Sequence, residues 1–272
     1  MHQFDLGGLT IASDVVLPLA PSTNRSRGAW DLRVEVSDAV SDSLGMADRL
    51  PWCFEPGLAT CWVRGVATFD VYAATRRIVV HPVPGAAGAD VALFLLRILP
   101  VAAAYQGHFF LDAAAVSSEP GATVCLGGPG AGKSTWAARF LARDPDALLL
   151  ADSLTRVSCE PGGRLMVWPG EPWLHLWPDA IAAVGGELGL GEPVRAAGGL
   201  RRVPQRRGTP TALSRVVLAT RDHQSRPAES GAWWSVFAGA TFGRTVIAGE
   251  RILRVQHFQW LDALVRAATI KQ

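Results

Sequence analysis

Between Phe4 and about Pro84 apolar and polar positions change places every one or two residues, in short runs: "GLTIASDVVL", "DLRVEV", "TCWVRGVATFDVYA" and "RRIVVHPV". These runs are rich in Val, Ile, Thr and aromatics, and Gly, Pro, Asp, Asn and Ser separate them, which predicts strands joined by turns. In "WVRGVATFDV", Val63, Val66, Phe69 and Val71 break strict alternation, placing a bulge or turn near Gly65. Residues 1–90 therefore read as a small, mainly antiparallel β module. No cluster of catalytic residue types stands in it.

The period then lengthens. After "GAAGAD", Leu93, Leu95, Leu96 and Leu99 give a broad apolar face to a helix expected from about Val91 to Tyr105, with Asp90 as its N-cap. A strand-like run "HFFLDAAAV", a turn at "SSEPGA" and a second strand "TVCLGG" follow. Farther on, strand-like "ALLLAD", "RLMVW" and "SRVVLAT" alternate with helix-like "PDAIAAVGGEL" and "HFQWLDALVRAA". That alternation predicts an α/β domain over 91–272.

Composition narrows the picture. Hydrophobic residues at 49% and charged residues at 18% describe a chain that buries a core, not a disordered one. The net charge of +2 gives no general pull toward nucleic acid or an anionic surface. Seven arginines nevertheless gather without an acid in one segment (Arg195, Arg201, Arg202, Arg206, Arg207, Arg215 and Arg221). Its Gly-Gly, Pro and charge predict a mobile loop, able to close over a phosphate, to hold an acidic peptide, or simply to be solvated. No nucleic-acid-binding signature accompanies it, so DNA is not expected as a partner. The most apolar stretch, "DVALFLLRILPVAAAYQG", is interrupted by Arg97 and Pro100, so no membrane span is expected. The four cysteines form no CxxC pair and read as buried free thiols of a cytoplasmic protein.

One lysine changes the reading most. Only two lysines, Lys133 and Lys271, stand among 26 basic residues. Lys133 lies in "VCLGGPGAGKSTWAARFLA", where Gly127, Gly132, Lys133 and Ser134 satisfy G-x-x-x-x-G-K-[ST]. A buried-strand signal precedes the loop. Trp136, Ala137, Phe140 and Leu141 recur at helical spacing after it, up to the break at Asp144-Pro145. Gly127, Gly128, Pro129, Gly130, Ala131, Gly132, Lys133, Ser134 and Thr135 are thus the candidate cradle for a nucleoside triphosphate. Its backbone N–H groups converge on phosphate at a helix N-terminus, where a compact ammonium fits and arginine's planar fork does not. Ser134 and Asp152, the acid ending "ALLLAD", are the candidates for holding Mg²⁺. No guanine-recognition motif is present, so ATP is expected over GTP.

The arrangement "GHFFLDAAAV…TVCLGGPGAGKST…LLLADSL" resembles the catalytic domain of HPr kinase/phosphorylase and its relatives, including kinases of peptide natural-product pathways. "PWLHLWPDAI" is similar to the R-L-W-P-D-A segment of those relatives, and "GLTIASDVVLPL" resembles their N-terminal modules. The resemblance implies a P-loop α/β kinase domain preceded by a β module. The implied reaction is ATP- and Mg²⁺-dependent phosphorylation of a hydroxyl, with a serine of a peptide or small protein as favoured acceptor and a small-molecule alcohol as second. It also implies Asp152 and Asp112 as candidates for general base and metal support, with His108 orienting a carboxylate or the acceptor. Ser153 stands where the family carries a second aspartate, so a nucleotide-binding regulatory protein and an acceptor-independent ATPase remain alternatives. The tryptophans Trp168, Trp173 and Trp177 cluster, and Trp173 and Trp177 are spaced to share a helix face. They suit core packing, a substrate wall or a homo-oligomer interface.

Overall fold

The computed structural model describes residues 1–22, 30–37, 52–184, 191–194, 199–219, 225–227 and 233–270. It is a mixed α/β chain with several sheets, divided into two compact units: 1–108 with 243–257, and 109–242 with 258–272.

In the first unit, β1 (His2–Leu6), β2 (Leu9–Ser13), β3 (Ala20–Pro21), β4 (Leu32–Val36), β5 (Trp52–Glu55), β6 (Leu58–Val63), β7 (Ala67–Tyr72) and β8 (Arg77–Pro82) form one sheet. Its order is β3-β1-β2-β4-β8-β7-β6-β5. The pairs β2–β4 and β4–β8 are parallel and the others antiparallel, so the module is mainly antiparallel as expected. Burial alternates along β6 and β8, the period-2 signature of a sheet with one covered face. The irregularity at Gly65 is the β6–β7 turn, where Gly65 takes φ 72° and Val66 N–H donates to Val63 O.

Helix α1 (Gly88–Ala104) begins earlier than expected, and Asp90 does not cap it. Ala87 is the N-cap without a side-chain bond, and Asp90 sits in the first turn, where its charge still suits the helix dipole. The α1 side chains Leu95, Leu96 and Leu99 are buried, and the helix packs on β4, β7 and β8. That burial draws α1 into the first unit, whereas the sequence pattern grouped it with 91–272.

The second unit contains β9 (Phe110–Leu111), β10 (Ala113–Ser118), β11 (Gly121–Leu126), α2 (Lys133–Arg143), β12 (Leu148–Asp152), β13 (Thr155–Glu160), β14 (Arg164–Trp168), β15 (Trp173–Leu176), α3 (Pro178–Ala183), β16 (Glu192–Pro193), β17 (Arg201–Pro204), β18 (Thr211–Ala219), β19 (Ser225–Pro227) and α4 (Trp233–Ala240). The short α5 (Arg244–Gly249) belongs to the first unit, and α6 (Arg251–Ile270) runs from the first into the second. The main sheet has the order β12-β10-β11-β18-β14-β13-β9, with β19 beside β18. Among the described strands of this sheet only β11–β18 is parallel. Tight antiparallel connections such as β10–β11 and β13–β14 supply the rest.

On one face of this sheet Ala114, Val116 and Leu149 meet Ala137 and Ala138 of α2 and Leu174, Leu176 and Val203 of the small sheet β15-β17-β16. On the other, Val124, Leu126 and Val157 meet Trp233 and Phe237 of α4 and Leu261 and Leu264 of α6. Layers on both faces give the sheet a dry interior and leave chemistry to its edges.

Three sequence readings change here. The arginine segment is not one long loop: Arg201 and Arg202 lie in β17 and Arg215 in β18, while Arg195 and Arg221 fall outside the described residues. Trp173 and Trp177 do not share a helix, because Trp173 is in β15 and Trp177 is the N-cap of α3. All four thiols are free, but only Cys61 and Cys125 are buried; Cys53 and Cys159 are exposed.

Candidate functional site

Three chain segments end at one edge of the main sheet. Strand β10 lies between β11 and β12 and runs antiparallel to both, with Ala113 opposite Leu126 and Ala114 opposite Asp152. Asp112, the residue just before β10, is therefore brought to the edge where β11 enters the glycine loop and β12 ends in Asp152. The run "HFFLDAAAV" breaks at this residue. Phe110 and Leu111 pair with β13, Ala113 onward pairs with β11 and β12, and Asp112 N–H donates to Ala240 O at 2.7 Å.

The loop from Gly127 to Gly132 turns tightly from strand to helix. A Cβ on Gly127 would lie 3.0 Å from Ala131 Cβ and 3.2 Å from Ala219 O, so a side chain there would have to push the loop or β18 aside. Gly130 (φ 74°) and Gly132 (φ 90°) occupy the left-handed region, and Gly132 is the N-cap of α2. Ala131 N–H donates to Gly128 O at 3.1 Å, closing the turn across Pro129. Around Gly128 and Gly130 an added Cβ would meet nothing within 4 Å, so the loop backbone there borders open space, and Lys133, Ser134 and Thr135 form the first turn of α2.

Lys133 is the first residue of α2, and its side chain folds back over the loop. Nζ donates to Gly127 O at 3.0 Å and to Gly128 O at 3.4 Å, and stands 3.2 Å from Asp112 Oδ1. The Lys133 side chain is 10% exposed and that of Asp112 38%, so the carboxylate half of the pair faces solvent. Ser134 Oγ donates to Asp152 Oδ1 at 2.8 Å. Asp152 is 1% exposed, and its Oδ2 accepts the backbone N–H of His175 at 2.8 Å. The two aspartates thus differ: Asp112 is open to an incoming molecule, while Asp152 has both oxygens engaged by the protein.

Behind Asp152 lies a polar layer that the sequence reading passed over. His175 Nδ1 is 3.7 Å from Asp152 Oδ2, and its Nε2 is 3.8 Å from Glu171 Oε2. Arg202 is the cross-strand partner of His175 between β15 and β17. Burial pushes the Glu171 carboxyl from its ordinary value near 4.5 up to about 7, against the pull of His175 and Arg202. Burial works to lower the His175 pKa, but the neighbouring Asp152 and Glu171 carboxylates outweigh it and the value is raised. Gly170 holds this layer close to β12. Its N–H donates to Leu150 O at 2.7 Å, and a Cβ there would lie 3.0 Å from Leu154 O and 3.2 Å from Ala151 Cβ. Arg207 fixes the same segment through Pro169 O and Gly170 O. The four-residue spacing of Glu171 and His175 was visible in the sequence. What hid their role is that Asp152 arrives from another strand.

His108 belongs to the first unit, where its N–H donates to Ala103 O at the end of α1 and it lines a cavity of about 120 Å³ with Asp31, Arg76 and Gln106. Ser153 takes φ 71°, rare for a residue with a side chain, in a tight turn in which Leu154 N–H donates to Asp152 O. Arg201 and Arg206 donate to the backbone carbonyls of Gly191 and Pro145. Trp168 lies under the Arg156 guanidinium, 5.0 Å from the ring centroid, and donates to Ser158 Oγ. No helix among the described residues is long and apolar enough to cross a membrane.

Among the described residues no three His, Cys, Asp or Glu side chains converge on one metal position. Ser134 and Asp152 offer a hydroxyl and a carboxylate oxygen, the hard donors Mg²⁺ prefers when phosphate and water complete its shell. They fit that ion in donor type. No family model matches the chain, and no curated protein matches it.

Proposed function

We propose that the protein is an ATP- and Mg²⁺-dependent kinase built on a P-loop domain of the HPr-kinase type, transferring a phosphoryl group to a hydroxyl. The observation that carries this reading is the meeting of Asp112, Lys133, Ser134 and Asp152 at one sheet edge, with Lys133 Nζ 3.2 Å from Asp112 and Ser134 Oγ 2.8 Å from Asp152. By the family resemblance, the favoured acceptor is a serine of a peptide or small protein in the cytoplasm. The central sheet and the β module before it are compatible with that resemblance.

In this reading the loop N–H groups and the α2 N-terminus bind the triphosphate. Lys133 turns from Asp112 to the β- and γ-phosphates and neutralises charge there. Ser134 and Asp152 hold Mg²⁺, which supplies further neutralisation of the phosphates. Asp112, released from its ion pair and open to solvent, accepts the proton of the acceptor hydroxyl. The acceptor oxygen bonds to the γ-phosphorus as the bond to the β,γ-bridging oxygen breaks, and ADP leaves with that oxygen. Asp112 suits the base role better than Asp152, whose two oxygens are already engaged and buried.

A second reading, nucleotide binding without transfer, draws on Ser153. Its hydroxyl cannot take the proton or the metal charge that a second carboxylate at that position would carry. Incubation with Mg-ATP and serine-containing peptides, read by mass spectrometry, separates the two. The kinase reading predicts one added phosphoryl group on an acceptor, absent with Lys133→Ala. Tight ATP binding with ADP formed at the same slow rate whatever acceptor is offered would favour the second.

A further inference from the structure

The polar layer behind Asp152 has no part in the scheme above, yet it sets ionisable side chains directly against the site. Glu171 is 4% exposed. Among the described residues, Glu171 Oε2, His175 Nδ1 and Arg202 Nε make no hydrogen bond. Burying ionisable groups with such loose pairing costs stability, and apolar side chains of similar volume would fill the space at lower cost. The layer ends on a single group, the Asp152 carboxylate.

We propose that His175, backed by Glu171, is a positioning residue that fixes the Asp152 carboxylate so that its Oδ1 stays presented to Ser134 for a shared divalent cation. The inference rests on the reading of Ser134 and Asp152 as the metal-holding pair. A carboxylate turns readily about its terminal bond, so its orientation is set by its partners. On Oδ2 those partners are the His175 N–H at 2.8 Å and the imidazole at 3.7 Å. The imidazole is confined in turn by Glu171 at 3.8 Å. Glu171 cannot drift, because Gly170 is bonded to β12 and clamped by Arg207. Carboxylates behind a metal ligand's own partner commonly act this way, and their loss weakens metal binding roughly 10- to 100-fold.

The test measures Mn²⁺ binding to the ADP-saturated protein by electron paramagnetic resonance, beside ADP binding in EDTA. His175→Leu keeps the volume and removes the polar partner. It is expected to weaken Mn²⁺ binding about tenfold or more while metal-free ADP affinity stays at the wild-type value. His175→Gln, which restores a polar group, is expected to recover most of the loss. Should His175→Leu fail to fold, the near-isosteric Glu171→Gln decides in its place, with a smaller loss of the same kind. Unchanged Mn²⁺ affinity would overturn the proposal. So would a parallel loss of metal-free ADP binding, which would make His175 a packing residue of the loop. Failure of the wild-type protein itself to bind Mn²⁺ with ADP would instead sink the metal-site reading beneath it.

Discussion

Ser153 and Glu171 are the residues at which the candidate site departs most from what a stable fold requires. Ser153 holds φ 71° for the turn that ends β12. Glycine adopts that conformation without steric cost, so Ser153→Gly should stabilise the protein by about 1 kcal/mol. Urea unfolding would measure it, and a destabilised variant would show that the Ser153 side chain does structural work. Glu171 makes a pH prediction. Between about pH 4.5 and 7 the folded carboxyl keeps a proton that the unfolded one has released, so its contribution is present at acid pH and is lost as pH rises through 7. The raised His175 acts in the same direction. Glu171→Gln removes the first effect, so the variant should gain on wild type by roughly 3 kcal/mol between pH 5 and 8. Equal pH profiles in thermal unfolding would refute the assignment. Much of the residue-scale site was legible: glycines, lysine and serine at fixed spacing, and an acid ending an apolar run. Glu171, His175 and Arg202 were not, because their meaning comes from cross-strand neighbours that no local pattern encodes.

At the scale of elements, the loop depends on how α2 seats on the sheet. Ala137 and Ala138 are fully buried in the cluster with Ala114, Val116 and Leu149, and small residues there let the helix approach β10 closely. Ala138→Leu overfills this contact. It should cost about 1–3 kcal/mol and, by lifting the α2 N-terminus, weaken nucleotide binding as well. Denaturant unfolding and ADP titration check both, and a loss of stability with intact binding would separate the helix seat from the site. Periodicity found α2, β12, β14 and β18, whose apolar runs are long enough to speak for themselves. It missed the break at Asp112, since "HFFLDAAAV" reads as one strand until β13 claims its first part and β11 and β12 the rest. It also took β17 for loop. Only Val203 of that strand is fully buried, and pairing with β15 and β16 rather than local pattern makes it a strand.

For the molecule as a whole, the sequence announced two parts and a change of period between them, but not how the chain is shared out. Helix α1 packs with the sheet that precedes it, and residues 243–257 return to the first unit late in the chain. Such returns are set by long-range burial, which periodicity does not report. The functional account is also a statement at this scale, because Asp112, the glycine loop and Asp152 come from separate segments and meet only in the folded sheet. The most direct test is a single-turnover experiment with γ-labelled ATP and an acceptor found by mass spectrometry, comparing wild type with Asp112→Asn. The account predicts transfer to the acceptor in the wild type, and in Asp112→Asn unchanged ATP affinity with transfer slowed by about 10²- to 10⁴-fold. Equal transfer rates in the two proteins would contradict the role given to Asp112. ATP bound tightly by the wild type with no label passed to any acceptor would contradict the kinase itself.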